Sequence, residues 1–253
     1  MADLTGLLVC AFAVGAFIGA AGVGGMLLIP ALTAFAGLPV RLAMATALCS
    51  FIFTGIAGTV MFQRRGTIDW TMTRPVIASA ALTAIVGGWV NSRVAGGVLM
   101  LILAIIMVFA GVYALAAYRG RLHPAVAGRS SLQNLLLASV GAVAGFGAGL
   151  AGVGGPALAV PLMLLCGFPV LSTVGTGQVL QIVAATSGTI GNLVYGAIAF
   201  DLALKIALVE TAGVVLGARI AHSVNANRLR IFVATLCIVT GIGLLVRELG
   251  RLN

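Results

Sequence analysis

Long apolar stretches without charge recur along the whole sequence and limit what this chain can fold into. Hydrophobic residues make up 61% of the 253 residues and charged residues only 8%, whereas about 25% of the residues in a soluble domain are charged. About twenty apolar residues can cross a bilayer as a helix. Eight apolar segments stand out: 4–36, 42–62, 75–92, 97–118, 132–167, 171–200, 202–222 and 229–246. The sequence therefore predicts an all-α polytopic membrane protein, since a β-barrel would show short alternating segments.

The formal net charge of +9 does not indicate nucleic-acid binding. The arginines stand singly or in pairs at segment ends, where they act as topology signals, and no basic stripe with interleaved aromatic residues is present. Four cysteines and two histidines show no metal-ligand spacing, so no metal and no cofactor is expected. The predicted partners are a small anion substrate and the lipid bilayer, without nucleic acid, and assembly into a homo-oligomer is left open.

The two halves of the sequence match when one is displaced by 130 positions. The stretch GAAGVGGMLLIPALTAFAGLPV, from Gly19, aligns without a gap on GLAGVGGPALAVPLMLLCGFPV, from Gly149. The register continues beyond these stretches and pairs Thr46 with Thr176. We interpret the chain as two homologous repeats of four hydrophobic segments. The predicted parts are a first repeat at 1–117, a cytoplasmic linker at 118–131 and a second repeat at 132–253.

Each repeat opens with an apolar segment that is too long to cross a bilayer unbroken. At 1.5 Å per residue, a helix over residues 4–36 would be ~50 Å long, against a hydrocarbon core of ~30 Å. Glycine inside a helix costs roughly 1 kcal/mol relative to alanine, so the central glycine cluster predicts a break. We favour a re-entrant hairpin at each break, which makes the halves inverted repeats. The alternative is eight full crossings and parallel repeats.

The glycine breaks also predict where an anion binds. Pro156 stands where the first residue of a new helix would be, a position that favours proline. A buried helix start offers unpaired N–H groups and partial positive charge, and glycine lets an anion approach the backbone closely. The alternative is that these glycines only allow close helix packing. The predicted substrate-binding glycines are Gly22, Gly24, Gly25, Gly152, Gly154 and Gly155.

Polar side chains beside the breaks add further candidates. Gln178, Gln181 and Asn192 share one face of a predicted helix, and Thr46 aligns with Thr176 in the other repeat. Because polar groups facing lipid are costly, these side chains should face protein or a cavity. We predict that Thr46, Thr176, Gln178 and Gln181 contribute to substrate binding, with hydrogen bonding between helices as the alternative.

Glu210 is the one acidic residue well inside an apolar segment. Carboxylates within a membrane are costly and often relay protons, so Glu210 is a candidate for proton coupling. An ion pair with Lys205 or Arg219 is the alternative.

Short motifs occur in a fixed order along both halves. The first half has a G-x-G-G turn, a proline, GLPV, ATAL with Thr46, and GTIDW with Asp69 and Trp70; the second has GVGGPALAVP, GFPV, GTGQ and GAIAF. This order resembles the TauE/SafE sulfite exporter family over nearly the whole chain. The resemblance implies a secondary transporter in the bacterial inner membrane, an exporter of sulfite, sulfoacetate or another organosulfonate, and not an enzyme. Alternatives are an intramembrane enzyme acting on a lipid or diphosphate, and an anion channel.

Overall fold

The computed structural model describes residues 4–22, 24–116, 130–195, 197–220 and 226–250, and every regular element within these ranges is helical. The α-helices are α1 (Leu4–Ala21), α2 (Leu28–Phe35), α3 (Val40–Arg64), α4 (Trp70–Arg93), α5 (Gly96–Ala116), α6 (Ser130–Ala151), α7 (Pro156–Leu165), α8 (Val170–Tyr195), α9 (Phe200–Ile220) and α10 (Ala226–Leu249). The predicted linker at 118–131 lies outside the described residues except at its last two positions, where α6 begins.

The lengths and composition of the helices fit a membrane protein. In the described part of the chain, four helices are long and apolar enough to cross a bilayer: Val40–Arg64, Trp70–Arg93, Gly96–Tyr113 and Ser131–Ala151. The later helices α8, α9 and α10 have 26, 21 and 24 residues, and a helix of about 20 residues is ~30 Å long. The prediction of an all-helical membrane protein is confirmed.

The helix is interrupted at both glycine clusters. A 3-10 turn at Gly25–Leu27 leads from the first break into α2, and a non-helical segment separates α6 from α7. Gly22 and Gly152, at matching positions of the two breaks, both have a φ of 69°. Gly24 and Gly154 have φ values of 138° and 75°. These backbone conformations are open to glycine and are strained for residues with side chains, which explains why the breaks consist of glycines.

Asp69, in the GTIDW motif, caps the start of α4. Its carboxylate accepts hydrogen bonds from the N–H groups of Thr71 and Met72, at 2.9 and 3.4 Å. The neighbouring Trp70 donates its ring N–H to Gln63 Oε1 at 3.2 Å, which joins the start of α4 to the end of α3. These two motif residues therefore shape the turn between α3 and α4.

Helices α1 and α9 pack closely because glycine lies at their contact. A side chain at Gly15 would overlap the carbonyl oxygen of Glu210, and one at Gly19 would overlap the carbonyl oxygen of Val214. Since both contact positions advance together along the two helices, α1 and α9 run in the same direction. At these glycines, close helix packing is the explanation that applies.

Helices α6 and α4 pack in the same manner. A side chain at Gly145 would lie 2.5 Å from the carbonyl oxygen of Ala80, and one at Gly149 would overlap the carbonyl oxygen of Ala84. These two helices also run in the same direction. Further packing joins α3 to α8 and α5 to α10, so most contacts between long helices connect the two halves of the sequence.

One end of the helix bundle, the Arg41 end, gathers the starts of α3 and α9 and the end of α4. The Arg41 guanidinium donates a hydrogen bond to the carbonyl oxygen of Val94, just after α4. Thr46 Oγ1 accepts a hydrogen bond at 3.2 Å from the N–H of Ala199, just before α9.

The opposite end, the Arg65 end, gathers the ends of α3 and α9 and the starts of α4 and α8. Arg65 donates to the carbonyl oxygen of Ala218 at 2.9 Å. The hydroxyl oxygens of Thr73 and Thr176 lie 2.9 Å apart and share a hydrogen bond. Helices α3 and α9 therefore run from the Arg41 end to the Arg65 end, while α4 and α8 run the opposite way.

Candidate functional site

The two glycine breaks lie next to each other and enclose a small cavity of about 10 Å³. That volume is about what one water molecule needs. The lining residues are Ile18, Gly22, Gly24, Gly25, Phe51, Val153, Pro156, Ala157 and Gln181. The cavity thus joins residues from the first break, the second break, α3 and α8. None of these lining residues is charged.

The Phe51 side chain of α3 lies between the two breaks. A side chain at Gly25 would lie 3.0 Å from Phe51 Cζ, and one at Gly154 would lie 2.9 Å from Phe51 Cδ2. Phe51 itself is fully buried. The sequence contains no signal for this role, because a phenylalanine in an apolar helix is ordinarily a packing residue.

None of the predicted glycines of the second break lines the cavity. Gly152 lies against α3, where a side chain would be 2.7 Å from Met44 Cβ. A side chain at Gly155 would lie 3.1 Å from Leu180 Cγ of α8. Gly152, Gly154 and Gly155 are next to the lining residues without lining the cavity themselves. They set the path of the backbone beside the cavity.

Helix α7 begins at the cavity with no side chain capping it. Gly155 is the N-cap residue and makes no side-chain hydrogen bond, and Pro156 is the first helical residue, as its position in the sequence predicts. The N–H groups of Leu158 and Ala159 donate to the carbonyl oxygen of Gly155 at 3.1 Å, whereas an N–H group closer to the start of a helix has no acceptor within the helix. Because Pro156 has no N–H, Ala157 carries the first N–H group of α7. The partial positive charge of this helix start therefore faces a cavity lined by uncharged residues.

The two predicted glutamines connect α8 to other helices. Gln181 lines the cavity, and its Nε2 donates to Thr54 Oγ1 at 2.7 Å and to the carbonyl oxygen of Phe51 at 3.3 Å. Gln178 Nε2 donates to the carbonyl oxygen of Ile18 at 3.2 Å, and its Oε1 has no hydrogen-bond partner among the described residues. Both side chains are buried, as predicted, and both make hydrogen bonds between helices.

Thr46 and Thr176 are fully buried but do not line the cavity. Thr46 lies at the Arg41 end and Thr176 at the Arg65 end, each bonded to the start of another helix. The structure does not bring them together with the glycine breaks. Their contribution to substrate binding stays a prediction.

Glu210 is fully buried on α9, and neither carboxylate oxygen has a hydrogen-bond partner among the described residues. The alternative of an ion pair is wrong for both candidate partners. Lys205 instead pairs with Asp201 at 2.6 Å, and Arg219 is exposed. The Ser50 hydroxyl of α3 lies near the carboxyl group but donates its hydrogen bond to the Ala47 carbonyl oxygen at 2.9 Å.

Within the described ranges, no group of three or more His, Cys, Asp or Glu side chains could hold a metal ion. The residues that line the central cavity contribute backbone, amide and apolar groups.

Comparisons with known proteins give the family. The family model "Sulfite exporter TauE/SafE" matches residues 7–244. The "Probable membrane transporter protein YdhB" of Bacillus subtilis (strain 168) is 27% identical over 211 residues, which cover 80% of this chain and 83% of that protein. No solved structure matches the chain significantly. The hypothesis of an intramembrane enzyme is thereby set aside. The chain belongs to the sulfite exporter TauE/SafE family and is a membrane transporter.

Proposed function

We propose that this protein is a secondary transporter that exports small sulfur-containing or organic anions across the bacterial inner membrane. The proposed substrates are sulfite, sulfoacetate or another organosulfonate. The observation that carries the proposal is the meeting of the two glycine breaks at one cavity, with the start of α7 beside it. The anion is held there by N–H groups at the helix starts that follow the breaks.

The electrostatics of the cavity favour an anion without a buried arginine or lysine. Each helix start carries about half a positive charge and is worth ~0.3 to 2 kcal/mol to a nearby anion, depending on burial. The lining residues include no carboxylate that would repel the anion. The amide group of Gln181 supplies a further N–H donor once it exchanges its present partner Thr54 for the anion.

The structure corresponds to a closed form of the proposed site. A cavity of about 10 Å³ holds about one water molecule, which is less space than a sulfur oxyanion needs. The Phe51 ring fills the space between Gly25 and Gly154. We infer that the ring withdraws from the breaks when the anion enters, and that its return closes the site.

Matched packing in the two halves supports the interpretation as two repeats. At a displacement of 130 positions, Gly15 corresponds to Gly145 and Glu210 corresponds to Ala80. The contact of Gly15 with Glu210 in the structure thus corresponds to the contact of Gly145 with Ala80. The α1–α9 pair corresponds in the same way to the α6–α4 pair. Both pairs are among the most extensively packed helix pairs of the bundle. A chance resemblance between two apolar sequences would not reproduce the same helix contacts.

Helix directions support a re-entrant hairpin at each break. Helix α1 runs parallel to α9, so it starts at the Arg41 end, and α2 leads directly into the start of α3 at that same end. Helix α6 runs parallel to α4 and starts at the Arg65 end, and α7 leads into the start of α8 at that end. The two hairpins thus enter from opposite ends, as inverted repeats require. With the linker in the cytoplasm, the Arg41 end faces outward.

The hairpin makes a prediction about topology. In a chain whose native cysteines are replaced, Thr5→Cys and Pro39→Cys should both react with a membrane-impermeant thiol reagent added outside intact cells. Gln63→Cys should react only after the cells are opened, because it lies at the end of α3. Eight full crossings would instead place positions 5 and 39 on opposite sides, and labelling in that pattern would contradict the hairpin.

Flux into liposomes tests the proposed function directly. Purified protein should carry sulfite or sulfoacetate with a saturable rate, and should exchange labelled anion inside for unlabelled anion outside. In an anion channel, unlabelled anion outside would not accelerate the efflux of labelled anion. Absence of flux for sulfite, sulfoacetate, sulfate and carboxylates alike would rule out the proposal. Glu210 is the proposed proton-coupling residue of this transport cycle.

A further inference from the structure

We propose that a pocket at the Arg41 end is an outer anion-binding vestibule, through which the transported anion leaves the protein. Its volume is about 220 Å³, about twenty times that of the central cavity. Its lining residues are Pro39, Arg41, Leu42, Asn91, Ser92, Asn192 and Ala197. The proposal rests on the proposed function, because it assumes that the cargo is an anion. The ligand chemistry is that of a small oxyanion.

Among the described residues that line this vestibule, Arg41 supplies the only charge. A hydrogen bond to the carbonyl oxygen of Val94 holds its guanidinium group at the end of α4. A guanidinium has five N–H donors, so this bond leaves several donors for an anion. A fixed positive charge at the mouth of a transport path raises the local concentration of anions.

Two buried asparagines add polar groups to the vestibule. Asn91 and Asn192 are 2% and 6% exposed, although each lies near the end of its helix. Asn91 Nδ2 donates to the carbonyl oxygen of Leu150 at 2.6 Å, and Asn192 Nδ2 donates to that of Gly188 at 2.8 Å. The second N–H of Asn91 donates to Met44 Sδ at 3.5 Å, whereas Asn192 Nδ2 has a further N–H to offer an anion. The vestibule therefore combines one cation with fixed amide groups, a combination that suits an oxyanion.

Asn91 connects the vestibule to the second glycine break. Its hydrogen-bond acceptor Leu150 lies in the last turn of α6, directly before the break. Asn91 Nδ2 also lies 3.5 Å from Met44 Sδ, and Met44 occupies the space beside Gly152. Methionine is a flexible side chain that repacks readily. Asn91 and Met44 therefore link the vestibule to the second break through direct contacts.

A neighbouring pocket is larger but less suited to an anion. Its volume is about 430 Å³, and Arg41 and Arg247 line it together with the carboxylate residue Glu248. Glu248 Oε1 lies 4.0 Å from Arg247 Nε, so part of the positive charge is already compensated. No carboxylate is present among the described residues of the vestibule, and the geometry points to it as the anion site at this end.

The test measures binding of radiolabelled sulfite to the protein in phosphatidylcholine nanodiscs at several salt concentrations. Arg41→Gln should weaken the apparent affinity about fivefold to tenfold and reduce its dependence on salt, because the attracting charge is gone. Arg93→Gln is the matched control. Arg93 is an exposed arginine at the same end, stacks on Trp89 at 4.9 Å, and does not line the vestibule. Its replacement should change the affinity less than about twofold.

The outcomes separate this proposal from the proposed function. Equal sulfite affinity in the Arg41→Gln and Arg93→Gln variants, or no sulfite binding by the unaltered protein, would overturn the vestibule. Absence of sulfite flux by the unaltered protein in liposomes would instead overturn the proposed function. A second arm replaces phosphatidylcholine by phosphatidylglycerol. If phosphatidylglycerol abolishes sulfite binding by the unaltered protein but not by the Arg41→Gln variant, the pocket is a lipid-phosphate site and the vestibule is again overturned. Sulfite binding that is retained in phosphatidylglycerol supports the vestibule.

Discussion

Leucine in place of Gly24 or Gly154 is expected to weaken anion binding severely and to stop transport while the protein still inserts into the membrane and purifies in a folded state. A side chain at Gly154 would lie 2.9 Å from the Phe51 ring and would fill the space that the ring must vacate for the anion. A side chain at Gly24 meets Phe17 Cβ at 2.8 Å, beside the central cavity. An anion kept from two helix starts loses ~0.3 to 2 kcal/mol at each. The affinity for sulfite should fall about tenfold or more.

The structure provides a matched control for the backbone strain of the Gly154 substitution. Gly37 has a φ of 65°, close to the 75° of Gly154, but nothing lies within 4 Å of the position that its side chain would occupy. Gly37→Leu therefore carries a similar left-handed strain, worth roughly 1 to 2 kcal/mol, without any contact at the cavity. It should leave sulfite affinity near that of the unaltered protein.

A second control shows what to expect if the glycines of the breaks only allow close helix packing. Gly19→Leu would force a side chain into the carbonyl oxygen of Val214 at the α1–α9 contact. This variant should fold poorly, and whatever fraction folds should bind sulfite normally. If Gly24→Leu and Gly154→Leu behave in the same manner, with near-normal affinity in the folded fraction, then the glycines of the breaks serve packing and the anion site lies elsewhere.

The helix breaks could be predicted from the sequence because their physical cause is local. Helix-disfavouring glycines fall at the centre of a segment longer than the bilayer is thick, and Pro156 marks the start of α7. The burial of Gln178 and Gln181 could also be predicted, since polar groups in an apolar helix avoid lipid.

The contacts around the site could not be predicted, because they depend on which helices become neighbours. Phe51 looks like any apolar helix residue until α3 is placed between the two breaks. Thr46 and Thr176 occupy equivalent sequence positions, which made them candidates. The structure shows that each bonds to the start of another helix, at opposite ends of the bundle.

The surroundings of Glu210 likewise depend on tertiary structure. The sequence alone does not exclude an ion pair between Glu210 and Lys205, because Lys205 lies little more than one helical turn away. In the structure Lys205 lies 2.6 Å from Asp201 on the exposed side of α9, whereas the Glu210 side chain is fully buried and its carboxyl group lies near Ser50 of α3. The direction of each side chain around the helix decided between the alternatives.

Glu210→Gln is expected to retain sulfite binding and to lose the response of transport to a pH gradient. A buried charge without a partner is costly, so a transporter gains from a carboxyl group here only if that group exchanges a proton during the cycle. Glutamine keeps the shape and most of the polarity but cannot titrate. In liposomes, the sulfite flux of the variant should be the same with and without an imposed pH gradient, while the gradient changes the flux of the unaltered protein.

The matched control for this prediction is Asp201→Asn, which removes an acid from the same helix. Asp201 is exposed and pairs with Lys205, so its loss should leave the gradient response intact. Glu210→Asp keeps a titrating group in the pocket formed with Ser50, and we expect it to retain part of the response. A pattern in which Glu210→Gln transports sulfite and responds to the gradient like the unaltered protein would remove Glu210 from the coupling mechanism. The proposed anion site at the glycine breaks would be unaffected, because Glu210 does not line the central cavity.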